Sequence, residues 1–482
     1  AATAEVRTAE PREFVTRHSG IFGGRKVRYT AIAGETILKD ADGRPAASVF
    51  TFSYLEDGVK NPAARPVVFV FNGGPGSASL WLHMGMLGPR RVDFPDPVRP
   101  PTAAPFSLTD SPHSLLDVAD LVFIDPVGTG YSKLLPGGRP EDFFGVTQDA
   151  RATAEIMRHW LTRHRRWSSP KFVLGESYGT VRAIKLAHAL MGGVRPPHGR
   201  LGGISLNGII VLGPAFGSGA GGGDIGYLTA LPSMAASAWY HGKADNRTRT
   251  LDAALEEARA LARDDYVRAL FAGSTLSEAE RERVASSLAR ITGLAPATWL
   301  EHDLRIGPGR FAELLLKDDG LRIGLYDSRY TLQRQAGGGD PVVDDPAMGQ
   351  YTPGFVAALN QYLVTELKVD PPGEYVPIAW TDVNFRWDWG AGPGVHVPQD
   401  HTAELATAMV RNPSLHVFIG AGYFDLVTTL GAAEYAIAHA AIPRDRVSLR
   451  GYPSGHMPYL GEDSARQLAA DLRTFIREAS TR

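Results

Sequence analysis

The chain has 482 residues, 44% of them hydrophobic, with 50 basic and 52 acidic side chains and a formal net charge of −2. That length suits two or three ordinary domains or one large domain with insertions, and the near-neutral balance leaves no basic footprint for nucleic acid or an anionic membrane surface. With no cysteine, disulfides, thiolate metal sites and a cysteine nucleophile are excluded, and no apolar run approaches the ~18 residues that a membrane span needs.

In chain order, the opening "AATAEVR" lacks methionine and is rich in small residues. It fits either a trimmed chain or the form left after cleavage of a leader, and the expectation is an exported protein, periplasmic or secreted. Alternation and turn residues over 18–55 predict a β-meander. Then come short runs rich in Val, Ile and Phe, "PVVFVFN" (66–72), "LVFID" (121–125), "KFVLGE" (171–176) and "GIIVLG" (208–213). They have the pattern of strands buried on both faces of a parallel sheet. Helices are predicted over 148–165 and 178–191, and the basic run "RHWLTRHRRW" (158–167) suits a helix C-terminus.

The texture changes after "LGPAFGSGAGGGD" (212–224), read as a connector because its glycines lack the strand-to-helix setting of a nucleotide fingerprint. Amphipathic helices are predicted over 251–263 and 276–291, and a buried-strand pattern returns only at "LHVFIG" (415–420). The expected division is a core over 1–215, a mostly helical cap over 216–375 and a return to the core over 376–482, with helices near 402–410, 428–440 and 463–478. Trp239, Tyr240 and Trp299 are read as cap core. The acidic "GGDPVVDDP" (338–346) lacks calcium-loop spacing and reads as a solvated loop.

"GESYG" (175–179), between a strand and a helix, has the Gly-x-Ser-x-Gly form of a nucleophile elbow. A serine hydroxyl needs a base to take its proton and a carboxylate to orient that base. Asp425, past the strand at 415–420, and His456, past "RVSLRGY" (446–452), supply both in the order Ser, Asp, His at the carboxyl ends of strands. An oxyanion hole needs one N–H from the residue after the nucleophile, Tyr178, and another from a glycine-rich loop after an earlier strand. "FNGGPGSAS" (71–79) is that loop, with Gly74 as the candidate donor.

Together, "FVFNGGPGSASLWLHMGMLGPRRV" (69–92), "LVFIDPVGTGYSK" (121–133), "KFVLGESYGTVRAIKLAHAL" (171–190) and the Asp425 and "GHMP" segments resemble the serine carboxypeptidases, peptidase family S10. The resemblance implies an α/β-hydrolase fold, a mostly parallel sheet flanked by helices, with a cap. It implies removal of single C-terminal residues from peptides with a free C-terminus, by catalytic Ser177, Asp425 and His456 with the Gly74 and Tyr178 N–H groups as oxyanion hole. No metal or organic cofactor is expected, and the sequence carries no His-Glu-x-x-His helix or phosphate loop. The resemblance further implies that Asn72, Gly73 and Glu176 bind the substrate carboxylate. Two carboxylates in contact cannot both stay ionised, so Glu176 would be protonated and activity favoured in acid. Many eukaryotic members carry a cysteine where this chain has Ser77, and usually another acid shortly before the catalytic aspartate. The cysteine-free pattern and "HSGIFGGRKVRYTA" look more like bacterial members. An acyltransferase or esterase on the same scaffold, and an inactive binding protein of this fold, are the other readings, and oligomeric state is left open.

Overall fold

The computed structural model describes residues 10–194, 199–217, 223–245, 250–334 and 340–481. The opening heptapeptide, residues 218–222 of the glycine run and residues 338 and 339 of the acidic stretch lie outside them.

Three antiparallel strands come first: β1 (Glu13–Phe22), β2 (Arg25–Lys39) and β3 (Pro45–Glu56). The meander thus starts before His18. β1 alternates exposed and half-buried residues, as expected of an edge strand covered on one side. Next are β4 (Val67–Phe71), β5 (Asp120–Ile124), β6 (Lys171–Glu176), β7 (Gly208–Leu212), β8 (His416–Gly422) and β9 (Val447–Tyr452). The sheet order is β1-β2-β3-β5-β4-β6-β7-β8-β9, with Lys133–Leu134 added beside β3. From β5 to β9 every neighbouring pair is parallel.

β4 shows why these runs are apolar throughout. Val67, Phe69 and Phe71 join one core layer and Val68 and Val70 the opposite one, so no position can be polar without meeting a core. The first layer holds Met157 and Leu161 of α1 (Val146–Arg163) and Val181 and Ile184 of α2 (Tyr178–Met191). It also holds Leu405 of α7 (Thr402–Arg411) and Ile437 of α8 (Leu430–His439). The second layer is closed by Leu468, Leu472 and Ile476 of α9 (Glu462–Ser480).

Between β7 and β8 lie three long helices, α3 (Gly223–Tyr240), α4 (Leu251–Leu261) and α5 (Glu278–Thr292). They share an apolar cluster of their own with Trp299, which is fully buried. Tyr240, by contrast, is 41% exposed, its ring against Phe424. A further helix, α6 (Pro346–Thr365), belongs elsewhere: its Tyr351, Phe355 and Leu359 join the second core layer, with Trp81 against Phe355. Gly349, Pro353 and Gly354 interrupt its sequence pattern, and packing overrides them. Among the described residues no helix is long and apolar enough to cross a membrane.

Candidate active site

The site lies at the carboxyl ends of β4, β6, β7, β8 and β9, where open parallel sheets gather their loops. β6 ends at Glu176 and α2 begins at Tyr178, so Ser177 alone makes the turn, at φ 59° and ψ −128°. Few non-glycine residues occupy that region. The flanking glycines are required by contact: a Cβ at Gly175 would stand 2.0 Å from the Gly179 carbonyl oxygen. The Ser177 N–H donates to the Leu212 carbonyl at 2.9 Å, tying the turn to β7.

The other two groups of the expected triad are joined. His456 Nδ1 lies 2.8 Å from Asp425 Oδ2. Since the carboxylate only accepts, Nδ1 carries the proton and Nε2 keeps its lone pair. Asp425, fully buried, also accepts from the N–H groups of Val427 (2.7 Å) and Thr428 (2.9 Å) and the Thr428 hydroxyl (2.6 Å). Burial alone would lower the His456 pKa, but the Asp425 charge and hydrogen bond outweigh it and raise the value above 6.5. Nε2 is buried without a hydrogen-bond partner among the described residues, and Ser177 and His456 line one cleft. A base–nucleophile hydrogen bond is often long without substrate and tightens in the reacting complex.

Asn72, Gly73 and Glu176 come together beside the serine. Asn72 Nδ2 donates to Glu176 Oε1 at 2.7 Å, while its own Oδ1 accepts from the Leu82 N–H at 3.1 Å. The second Glu176 oxygen is buried and has no hydrogen-bond partner among the described residues, and the Tyr459 hydroxyl stands close by. Burial is the main cause that pushes the Glu176 carboxyl up to about 7, against the opposing pull of the His456 charge. Gly73 packs so closely under the elbow that a Cβ there would stand 2.5 Å from the Tyr178 nitrogen. Gly74 lines the cleft. Tyr178 opens α2, where N–H groups lack intrahelical acceptors; its side chain turns away to pack on Trp387 and Trp389.

Several residues of the site carry no sequence signal of their own. Arg182 of α2, fully buried, donates to Asp149 at 2.6 Å and to the Asn72 carbonyl, so it braces the loop from below. Asp125, at the end of β5, accepts from the Ser79 N–H (2.8 Å) and hydroxyl (2.7 Å), and burial pushes it up to about 6. Trp81 and Met457 from the core, Tyr326, Met348 and Tyr351, and Ile378 and Trp380 form the walls of the cleft.

A family model described as serine carboxypeptidase matches residues 44–250. Among curated relatives, serine carboxypeptidase-like 8 of Arabidopsis thaliana is 32% identical over 129 residues, 26% of this chain and 28% of the relative. Serine carboxypeptidase-like 34 of the same plant is 28% identical over 158 residues, 32% of this chain and 29% of the relative. The matches therefore span under a third of either relative's length. Among solved structures, Kex1(Δ)p, a prohormone-processing carboxypeptidase from Saccharomyces cerevisiae, aligns at TM-score 0.57 and 14% identity, covering 93% of this chain and 92% of that one. At that identity the likeness speaks for the fold, and the fold is the α/β hydrolase, a mostly parallel sheet flanked by helices.

Proposed function

From a chain whose residues 44–250 match the serine carboxypeptidase family model, we propose a peptidase that removes residues one at a time from the free C-terminus of peptides. The observation that carries this reading is the buried Asn72–Glu176 pair directly beside Ser177, in a cleft shared with His456. A general esterase needs no group for a terminal carboxylate. A protonated Glu176 and the Asn72 amide would both donate to one, which places the last peptide bond at the serine.

In the proposed cycle His456 Nε2 takes the Ser177 proton as Oγ attacks the scissile carbonyl, and Asp425 stabilises the imidazolium. The N–H groups of Gly74 and Tyr178 receive the oxyanion. The imidazolium protonates the departing amine, which leaves as a free amino acid, and water activated by His456 then releases the shortened peptide. Gly73 contributes its backbone to the carboxylate corner. Because Glu176 must hold its proton, the cycle favours acidic to neutral pH.

The proposal includes the division into core (1–215), cap (216–375) and returning core (376–482). The separate apolar cluster of α3 to α5 supports a cap, while α6 is the part of the insertion shared with the core. It includes export to the periplasm or beyond.

A mixed peptide library digested with wild type and with Ser177→Ala, read by mass spectrometry, tests the function. Stepwise loss of C-terminal residues from free acids, absent for C-terminal amides and for Ser177→Ala, is the expected result. Cleavage of amides as readily as acids would refute it.

A further inference from the structure

Residues 325–330, "LYDSRY", follow the short strand Leu321–Ile323 and reach both loops that carry the acid and the base. Three backbone hydrogen bonds make the junction. The Leu426 N–H donates to the Leu325 carbonyl at 2.9 Å, the Ser328 N–H to the Phe424 carbonyl at 2.9 Å, and the His456 N–H to the Tyr326 carbonyl at 2.6 Å. The same segment is tied to α3, where His241 Nε2 donates to the Ser328 carbonyl at 2.6 Å and the Ser237 hydroxyl meets that of Ser328 at 2.6 Å.

Two charged side chains complete the junction. Asp327 is 2% exposed, and the Arg329 guanidinium grips it through Nε (2.9 Å) and Nη2 (2.6 Å). The remaining donors of that fork reach the loop before His456: Nη1 to the Pro453 carbonyl at 3.0 Å and Nη2 to the Ser454 hydroxyl at 3.3 Å. The guanidinium carbon sits 5.2 Å over the Phe424 ring, next to Asp425. Gly455 lies flat against Asp327, since a Cβ there would stand 2.5 Å from the Asp327 Cβ. A planar fork with fixed donor directions fits two oxygens and a carbonyl at once, which a lysine ammonium does not. Neither side chain lines the cleft.

We propose that Asp327 and Arg329 are positioning residues: a clamp contributed by the segment between β7 and β8 that fixes the His456 loop against the Asp425 loop and so sets the reach of the imidazole toward Ser177. The inference rests on the reading of Ser177, His456 and Asp425 as the catalytic set. The clamp works through the backbone of residues 453–456, and a displacement of about 1 Å there is enough to cost on the order of 100-fold in rate.

The test compares Arg329→Met and Arg329→Lys with Arg259→Met, which breaks a different ion pair, Arg259–Glu434 at 2.6 Å, between α4 and α8. Expected for Arg329→Met is a kcat lower by roughly 100-fold with KM within about twofold of wild type, partial recovery in Arg329→Lys, and no such split in Arg259→Met. Hydrogen exchange by mass spectrometry over 453–460 should quicken about tenfold in Arg329→Met alone, because loosening the clamp frees the His456 N–H. Should Arg329→Met not fold, Asp327→Asn, which keeps the shape and removes the charge, carries the same comparison. Wild-type kcat together with wild-type exchange in the folded variant, or equal losses in Arg259→Met, would overturn the clamp. A wild type that releases no C-terminal residue would refute the peptidase reading, and the exchange at 453–460 would still decide the clamp.

Discussion

Asn72 gives its amide to one oxygen of Glu176 and leaves the other buried beside Ser177, without a partner among the described residues. A buried carboxyl in that state is stable only while it holds a proton or meets a donor. On the proposed reading the pair is a socket for an anion that brings acceptors and no protons, which is what a peptide terminus offers.

The pH dependence follows from Glu176. With its carboxyl pushed up to about 7, kcat/KM for a peptide acid should fall about tenfold per unit above that value as ionised Glu176 repels the substrate. On the acid side it falls as His456 becomes protonated and no longer accepts; burial lowers its pKa and the charges of Asp425 and Glu176 raise it, so with Glu176 protonated this limb moves to lower pH. The two groups line one cleft and each charge acts on the other, so the limbs belong to the pair. Glu176→Gln should remove the alkaline limb and keep the acid one, and any residual cleavage of peptide amides, resolved at high enzyme concentration, should lack the alkaline limb in wild type. Matching profiles for acid and amide in steady-state kinetics would contradict this.

Stability carries the same signature. A folded-state pKa moved from 4.5 to about 7 means the folded protein binds that proton more tightly than the unfolded chain. Its contribution is full below pH 4.5 and is lost as pH rises to about 7, by on the order of 3 kcal/mol. Asp125, moved up to about 6, adds a loss of the same sign. Thermal melting from pH 4 to 8 should therefore show a shallower decline for Glu176→Gln than for wild type.

Asp425→Asn keeps the shape of the acid but gives His456 Nδ1 an amide in place of an obligate acceptor. Turnover should drop by about 10⁴-fold, with KM little changed, because the cleft walls are untouched. Ser177→Ala should lose labelling by an active-serine phosphonate altogether, whereas Asp425→Asn should label slowly. Rapid labelling in the asparagine variant would argue that Asp425 is not the orienting acid.

Trp299 anchors the insertion, fully buried, with its indole N–H donated to Thr292 at 3.1 Å and its ring near Tyr266. Trp299→Ala should cost about 3–5 kcal/mol, and because its cluster is separate from the sheet, limited proteolysis should cut within 250–320 before the core. Simultaneous loss of both in denaturant titration would show that they unfold as one.

How much of this could be read beforehand depends on whether a contact leaves a local pattern. The strands β4 to β8 were legible because burial on both faces keeps their interior positions apolar, and the loops of Ser177, Asp425 and His456 because each lies within a few residues of the end of a strand. Asn72 and Glu176 were reached through the family resemblance, not through any periodicity. Helix α6 was not legible, since its glycines and proline break the pattern that its packing against Trp81 restores. Arg182, bracing Asn72 across 110 positions, and Arg329, reaching Pro453 across 124, form contacts that no short window of sequence contains.

Strands β7 and β8 lie side by side although one ends at Leu212 and the other begins at His416. A ribosome making this chain exposes the elbow serine early and delivers the acid and the imidazole only near completion. Until β8 and β9 dock, a half-made copy carries the Ser177 turn with neither Asp425 nor His456 beside it.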